Sequence, residues 1–163
     1  MERPRVPLFA DERTMLDAWL DFHRATLLMK CAGLSDEQLK VRSAEPSTLS
    51  LLGLVRHMTE VERSWFRRRI GGESSDTAGP RYYTPQREDD DFDALDSAPV
   101  QEVFDAYLRE IDLCKQAAGR VGLDEVRHER SVRWIYTHMV EEYARHNGHA
   151  DLLRERIDGS KGT

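Results

Sequence analysis

The sequence predicts an all-α chain folded as a four-helix bundle, with a long crossover loop between the second and third helices. Four long stretches keep apolar residues at alternating spacings of four and three, and none alternates with the period of a strand. The one long aperiodic segment falls midway, with two helices before it and two after, so simple up-down-up-down connectivity is not expected.

The first helix is expected between Asp11 and Lys30, with Met15, Trp19, Phe22, Thr26 and Met29 as its seam and Gly33 as its stop. Ser35 with Gln38 three residues on is a capping-box pattern, which opens a short helix running to about Val41. From Thr48 to Ile70 the seam returns as Leu51, Leu54, Met58, Val61 and Trp65, and Gly71-Gly72 ends it. Residues 73–96 hold Gly79-Pro80, Pro85 and the acidic run Glu88 to Asp91 without a sustained period. Loops of that length in compact domains tend to be functional, so this crossover is expected to border a pocket. The third helix should begin near Ser97 to Pro99, facing Val100, Phe104, Tyr107, Ile111, Cys114, Ala118 and Val121 inward. The fourth should open at Ser131 and stop at Asp158-Gly159.

A chain of 163 residues is the size of one domain with a continuous core, and residues 1–163 are taken as such, with 1–10 and 159–163 expected to be flexible. A third of the residues are charged and the formal net charge is -6, so the surface would repel nucleic acid phosphates and anionic lipid. No stretch approaches the ~18 apolar residues that span a bilayer. Cys31 and Cys114 lack CxxC spacing and sit in apolar helical contexts, which reads as two buried thiols in a reducing cytoplasm. The aromatic residues Trp19, Trp65 and Trp134 are expected in the core, and the run Arg67-Arg68-Arg69 as a solvated helix end.

The fourth seam carries the anomaly. It reads Ile135, Met139, Glu142, His146, His149, Leu153, with polar groups where the other helices place apolar ones. An ionised carboxylate buried in an apolar interior costs several kcal/mol unless paired or bound to a cation. Glu142 and His146, spaced i,i+4, stack on one face and can reach a single divalent ion. His57 sits at the edge of the second helix's apolar stripe and can supply a third ligand. Two histidines and one glutamate form the ligand set of zinc sites that keep an open position for chemistry. The plainer alternative is a hydrogen-bonded core histidine at 57 and a helical hydrogen bond between 142 and 146. His138 and His149 extend the same face by about one turn either way, as hydrogen-bonding neighbours of the metal ligands, substrate contacts, proton relays or alternative ligands. His23 and His128 read as surface or boundary residues.

The segments LGLVRHMTEVERSWF at 52–66 and RWIYTHMVEEYARHNGHADLLRE at 133–155 resemble the DinB-like superfamily of metal-dependent helical bundles, in the branch near mycothiol-dependent enzymes. Glu142 stands where many members carry the first histidine of a His-x-x-x-His pair, and the resulting Glu-x-x-x-His resembles mycothiol-dependent maleylpyruvate isomerase. The resemblance implies His57, Glu142 and His146 as metal ligands, a bundle with a long crossover, and a tendency to form homodimers. It also implies S-transfer with a low-molecular-weight thiol, mycothiol or bacillithiol, as cosubstrate. The resemblance does not extend to the isomerase's additional C-terminal domain, so that enzyme's specific reaction is not expected here.

The leading expectation is therefore a divalent-metal-dependent thiol S-transferase that attacks a small electrophile, with no nucleic acid or membrane partner. Zinc is the expected ion, and nickel or iron suit the same ligands. His149 or His138 would relay protons. A hydrolase using metal-bound water and a non-enzymatic metal-binding stress protein are the alternatives.

Overall fold

The computed structural model describes residues 2–162, so Met1 and Thr163 of the termini expected to be flexible lie outside the described residues. The element order is α1 (Glu12–Cys31), α2 (Asp36–Lys40), α3 (Leu51–Glu62) continued as a π-helical segment (Arg63–Ile70), α4 (Ser75–Ala78) and α5 (Asp90–Asp93). There follow α6 (Val100–Ala118), a two-residue antiparallel pair β1 (Val126–Arg127) with β2 (Arg130–Ser131), and α7 (Val132–Asp158). The all-α class holds, and the small hairpin between α6 and α7 is an addition the apolar periodicity did not signal. Its reversal at His128 and Glu129 places both residues at positive φ.

The chain folds into two compact units. One carries the chain up to Leu51 and again from Tyr136; the other is Leu52–Ile135.

In the first unit, α1 starts where the Asp11 carboxylate accepts from the Thr14 N–H at 3.1 Å, an N-cap that satisfies a donor the helix cannot. Gly33 follows its end at φ +77°, a left-handed position favouring glycine. Ser35 and Gln38 form the expected capping box on α2. The buried face of α1 is Leu20, Arg24, Thr26, Leu27 and Cys31, rotated from the expected seam, while Trp19 is 40% exposed. Polar contacts join α1 to α7: Asn147 Nδ2 donates to the His23 carbonyl at 3.1 Å, Arg154 donates to the Lys30 carbonyl at 2.9 Å, and Lys30 pairs with Asp151 at 2.6 Å.

In the second unit, Leu52, Leu54, Val55 and Met58 of α3 are fully buried. The continuation into the π segment is marked by the Gly71 N–H donating to the Phe66 carbonyl, five residues back, at 2.8 Å. Pro99 precedes α6, whose buried residues include Val100, Val103, Tyr107, Ile111, Cys114 and Ala118. The crossover is not structureless, since it contains the one-turn helices α4 and α5. Trp134 is 46% exposed, so neither it nor Trp19 belongs to the core. Both cysteines are buried free thiols, as expected, and burial pushes the Cys31 thiol up to about 12.

Candidate functional site

The polar seam of α7 lies where the spacing placed it. Met139, Tyr143, Ala150 and Leu153 are buried around it, which holds the half-buried Glu142 and the buried His146 on an otherwise apolar face. Glu142 Oε1 and His146 Nε2 lie 3.4 Å apart. That is long for a hydrogen bond to a ring nitrogen. It equals the ~3.4 Å edge between two donors each ~2.1 Å from one tetrahedral ion. On the other side of the His146 ring, Nδ1 lies 3.4 Å from His149 Nδ1, and the two rings meet edge to face at 5.3 Å. His146 thus has one ring nitrogen towards a carboxylate and the other towards a second imidazole.

His138 lies one turn earlier, its Nδ1 3.7 Å from Glu141 Oε2. His138, Glu141 and Glu142 each offer a ligand atom within 4.8 Å of the others, forming a second His/Glu group on α7. Its Glu141 is exposed and also pairs with Arg145. His23 is half-buried, stacked on Trp19 at 6.0 Å, and burial lowers its pKa. His128 is exposed on the hairpin.

In the other unit, His57 is held by α5. Its Nδ1 lies 2.8 Å from Asp91 Oδ2, and its ring stacks on Phe92 with centroids 5.0 Å apart. An ionised carboxylate only accepts, so Nδ1 carries the proton and the lone pair of the neutral ring sits on Nε2. A carboxylate behind one ring nitrogen, fixing the tautomer and orientation of the other, is the usual support of a metal-ligating histidine. Asp91 is itself buried, and its other oxygen accepts from the Phe92 N–H at 3.1 Å.

Two further features went unread in the sequence. Arg56, Glu60, Arg63 and Arg67 recur at spacings of four, three and four, the same rhythm as an apolar seam, and form a polar one through the π segment. Arg63 and Arg67 both donate to the buried Glu110 of α6, at 2.5 and 3.0 Å, and Arg67 also grips Glu73 at 2.6 Å. Those partners hold the Arg67 guanidinium protonated and Glu73 below the usual carboxylate range, so Arg67 is a buried crosslink and not a solvated helix end. Glu60 accepts from the backbone N–H groups of Arg81 and Tyr82 at 2.5 and 2.6 Å, fastening the crossover to α3. Burial dominates its environment and raises its pKa.

Arg56 completes the attachment of α5, donating to the carbonyls of Ala94 and, at 2.9 Å, Asp90. Arg56 and His57 are consecutive, so one short helix braces both. The crossover does border a cavity: Arg81, Tyr82 and Ala94 line a space of about 420 Å³ together with Arg56 and the start of α6.

No helix among the described residues is long and apolar enough to cross a membrane. Comparison with curated proteins gives no match. A family model described as mycothiol-S-transferase matches residues 15–159, nearly the whole chain and both polar seams, and the chain belongs to that family.

Proposed function

We propose that the chain is a divalent-metal-dependent thiol S-transferase that joins mycothiol to a small electrophile. Family membership supports the thiol and the transfer. The observation that carries the metal is the pair Glu142 Oε1 and His146 Nε2 at 3.4 Å, two donors at the separation of neighbouring ligands rather than of hydrogen-bond partners. His57, Glu142 and His146 are a set whose composition can hold a metal ion, and His57 enters it as the third ligand through the Nε2 that its Asp91 contact leaves as the acceptor. Two imidazoles and a carboxylate suit zinc, with nickel and iron as substitutes.

When bound, such an ion lowers the pKa of a coordinated thiol, so that it is held as thiolate, the nucleophilic form, at neutral pH. The protein's own residues then have separate tasks. Asp91 fixes the His57 tautomer. The thiol proton is accepted by His149, with His138 as a second relay further along α7. The sulfur forms its bond to the electrophilic carbon, and the electron pair displaced from that carbon leaves with the departing group or is protonated on the product. The reaction takes place in the cytoplasm, in a homodimer.

The test combines elemental analysis with a thiol-consumption assay against a panel of alkyl halides, epoxides and activated alkenes. Stoichiometric metal together with mycothiol consumption is expected. Loaded protein that consumes no thiol, or that cleaves esters or amides without one, would overturn the reading.

A further inference from the structure

The consecutive arginines that close the π-helical segment are not used alike. Arg67 is held by Glu73 and Glu110, whereas Arg68 and Arg69 make no ion pair with a carboxylate among the described residues. Both turn back to one neutral residue instead. Arg68 Nη2 donates to Ser64 Oγ at 2.8 Å, and Arg69 Nη1 donates to the same hydroxyl oxygen and to the Ser64 carbonyl at 3.1 Å. Neither is needed to cap the helix, because the carbonyls of Phe66, Arg67 and Arg68 accept from the backbone N–H groups of Gly71, Glu73 and Gly72.

Two half-buried guanidiniums are thus held at one uncharged oxygen, where like charges repel. Desolvation first, and then the charges of Arg68 and Arg130, lower the Arg69 pKa, with Tyr83 acting the other way. The group is nevertheless fixed in place. It rests on the Trp65 ring, 4.2 Å from the centroid, and Arg130 lies 5.8 Å over the same ring. The donors that make no hydrogen bond, Nε and Nη1 of Arg68 and Nε and Nη2 of Arg69, are open to solvent, since neither residue has a buried nitrogen without a partner. Fixed, partly desolvated charges without a counter-charge favour an anionic ligand.

Arg68 and Arg69 line a cleft of about 380 Å³ together with Glu73, Ser74, Ser75 and His128. An adjoining space of about 550 Å³ shares Arg69 and His128 and adds Arg120, which is exposed and also makes no ion pair among the described residues. Glu73 is the one acidic side chain lining either space, and Arg67 engages both its oxygens, at 3.0 and 2.6 Å. The wall is therefore cationic in a chain whose net charge is -6.

We infer that this cleft is a second ligand site, for a dianionic phosphate group carried by a small molecule, gripped by Arg68 and Arg69 with Arg120 and His128 at its rim. A tetrahedral dianion has oxygens enough to meet both guanidiniums at once, and its two charges match theirs. A carboxylate or a phosphodiester brings only one. The volume admits a small organic phosphate as well as the bare ion. Arg68 lies eleven residues beyond His57 along the same helix, a rise of about 16 Å, so the cleft is not part of the proposed metal site and its occupancy does not depend on S-transfer.

The experiment is isothermal titration calorimetry of the full chain at pH 8 with inorganic phosphate, dimethyl phosphate and acetate. Saturable binding of phosphate is expected near a Kd of about 1 mM, with both monoanions at least about tenfold weaker. Arg68→Gln and Arg69→Gln should each weaken phosphate binding about tenfold, and Arg120→Gln about threefold. Arg109→Gln makes the same charge change at an exposed α6 residue outside both spaces and should leave the affinity unchanged. Circular dichroism verifies each fold; if Arg69→Gln does not fold, Arg68→Gln decides, since its one printed tie is to the Ser64 hydroxyl. Absence of saturable phosphate binding, equal affinity for dimethyl phosphate, unaltered binding in Arg68→Gln, or an equal loss in Arg109→Gln would each overturn the assignment and leave S-transfer untouched.

Discussion

Replacing Asp91 asks how much the support behind His57 is worth. Asp91 is buried and accepts from His57 Nδ1 at 2.8 Å and from the Phe92 N–H at 3.1 Å. Loss of such a partner lowers metal affinity about 10- to 100-fold, or about 1.4–2.7 kcal/mol. The two ends of that range belong to different substitutions. Asp91→Asn keeps a carbonyl oxygen in place and loses only the charge, and a charge-assisted hydrogen bond is about twice as strong as a neutral one, so the effect should lie near tenfold. Asp91→Ala removes both contacts and frees the ring to rotate, which places it near hundredfold. Zinc affinity measured by competition with a chromophoric chelator gives both values, and circular dichroism verifies the fold. Wild-type affinity in both variants, or an alanine variant that binds as well as the asparagine one, would refute the role given to Asp91.

Glu110→Ala leaves the buried Arg67 and the adjoining Arg63 without their shared carboxylate, and breaking a buried pair costs about 3–5 kcal/mol. Arg67 keeps Glu73 and Arg63 keeps the Gly79 carbonyl at 2.8 Å, so urea unfolding should show about 3 kcal/mol, the low end; a loss below about 1 kcal/mol would mean the network is not a crosslink. Cys31 makes stability fall in alkali. Its folded pKa, about 12, exceeds the unfolded value of 9.0 chiefly through burial, so the native state keeps a proton that the unfolded chain loses. That contribution is complete below pH 9 and is lost as pH rises towards 12, at up to about 1.4 kcal/mol per pH unit. Burial of Tyr136 raises its pKa too and adds to the slope above its ordinary range. Urea midpoints at pH 8, 9 and 10 should therefore decline, and less steeply in Cys31→Ala; equal slopes would contradict the assignment. Native protein should also leave Cys31 and Cys114 unlabelled by a thiol reagent that reacts with both after unfolding.

The polar interruption of α7 was legible because a seam with a strict rhythm makes any departure visible: Glu142, His146 and His149 occupy positions where Met139 and Leu153 are buried. The seam of α1 was misplaced for a related reason. Trp19 and Phe22 are the largest apolar residues there and draw the eye to their face, whereas the buried face is the neighbouring one with Leu20, Leu27 and Cys31. Side-chain size does not report direction. The buried polar residues of α3 and the π segment were hidden because charge was equated with exposure. Arg67 reads as a solvated helix end until its partners Glu110 and Glu73, 43 and 6 residues away, are brought to it by the fold. Asp91 was hidden in the same way, one acid in a run of four whose role appears only when α5 forms and turns it towards His57.

The proposed function names His57, Glu142 and His146 as ligands of the metal on which thiol transfer depends. Elemental analysis of wild type beside His57→Ala, Glu142→Ala and His146→Ala, each also assayed for mycothiol consumption, tests it most directly. Stoichiometric metal is expected in the wild type, with a concerted loss of metal and thiol consumption in all three variants. Full metal content and undiminished thiol consumption in His57→Ala would contradict it.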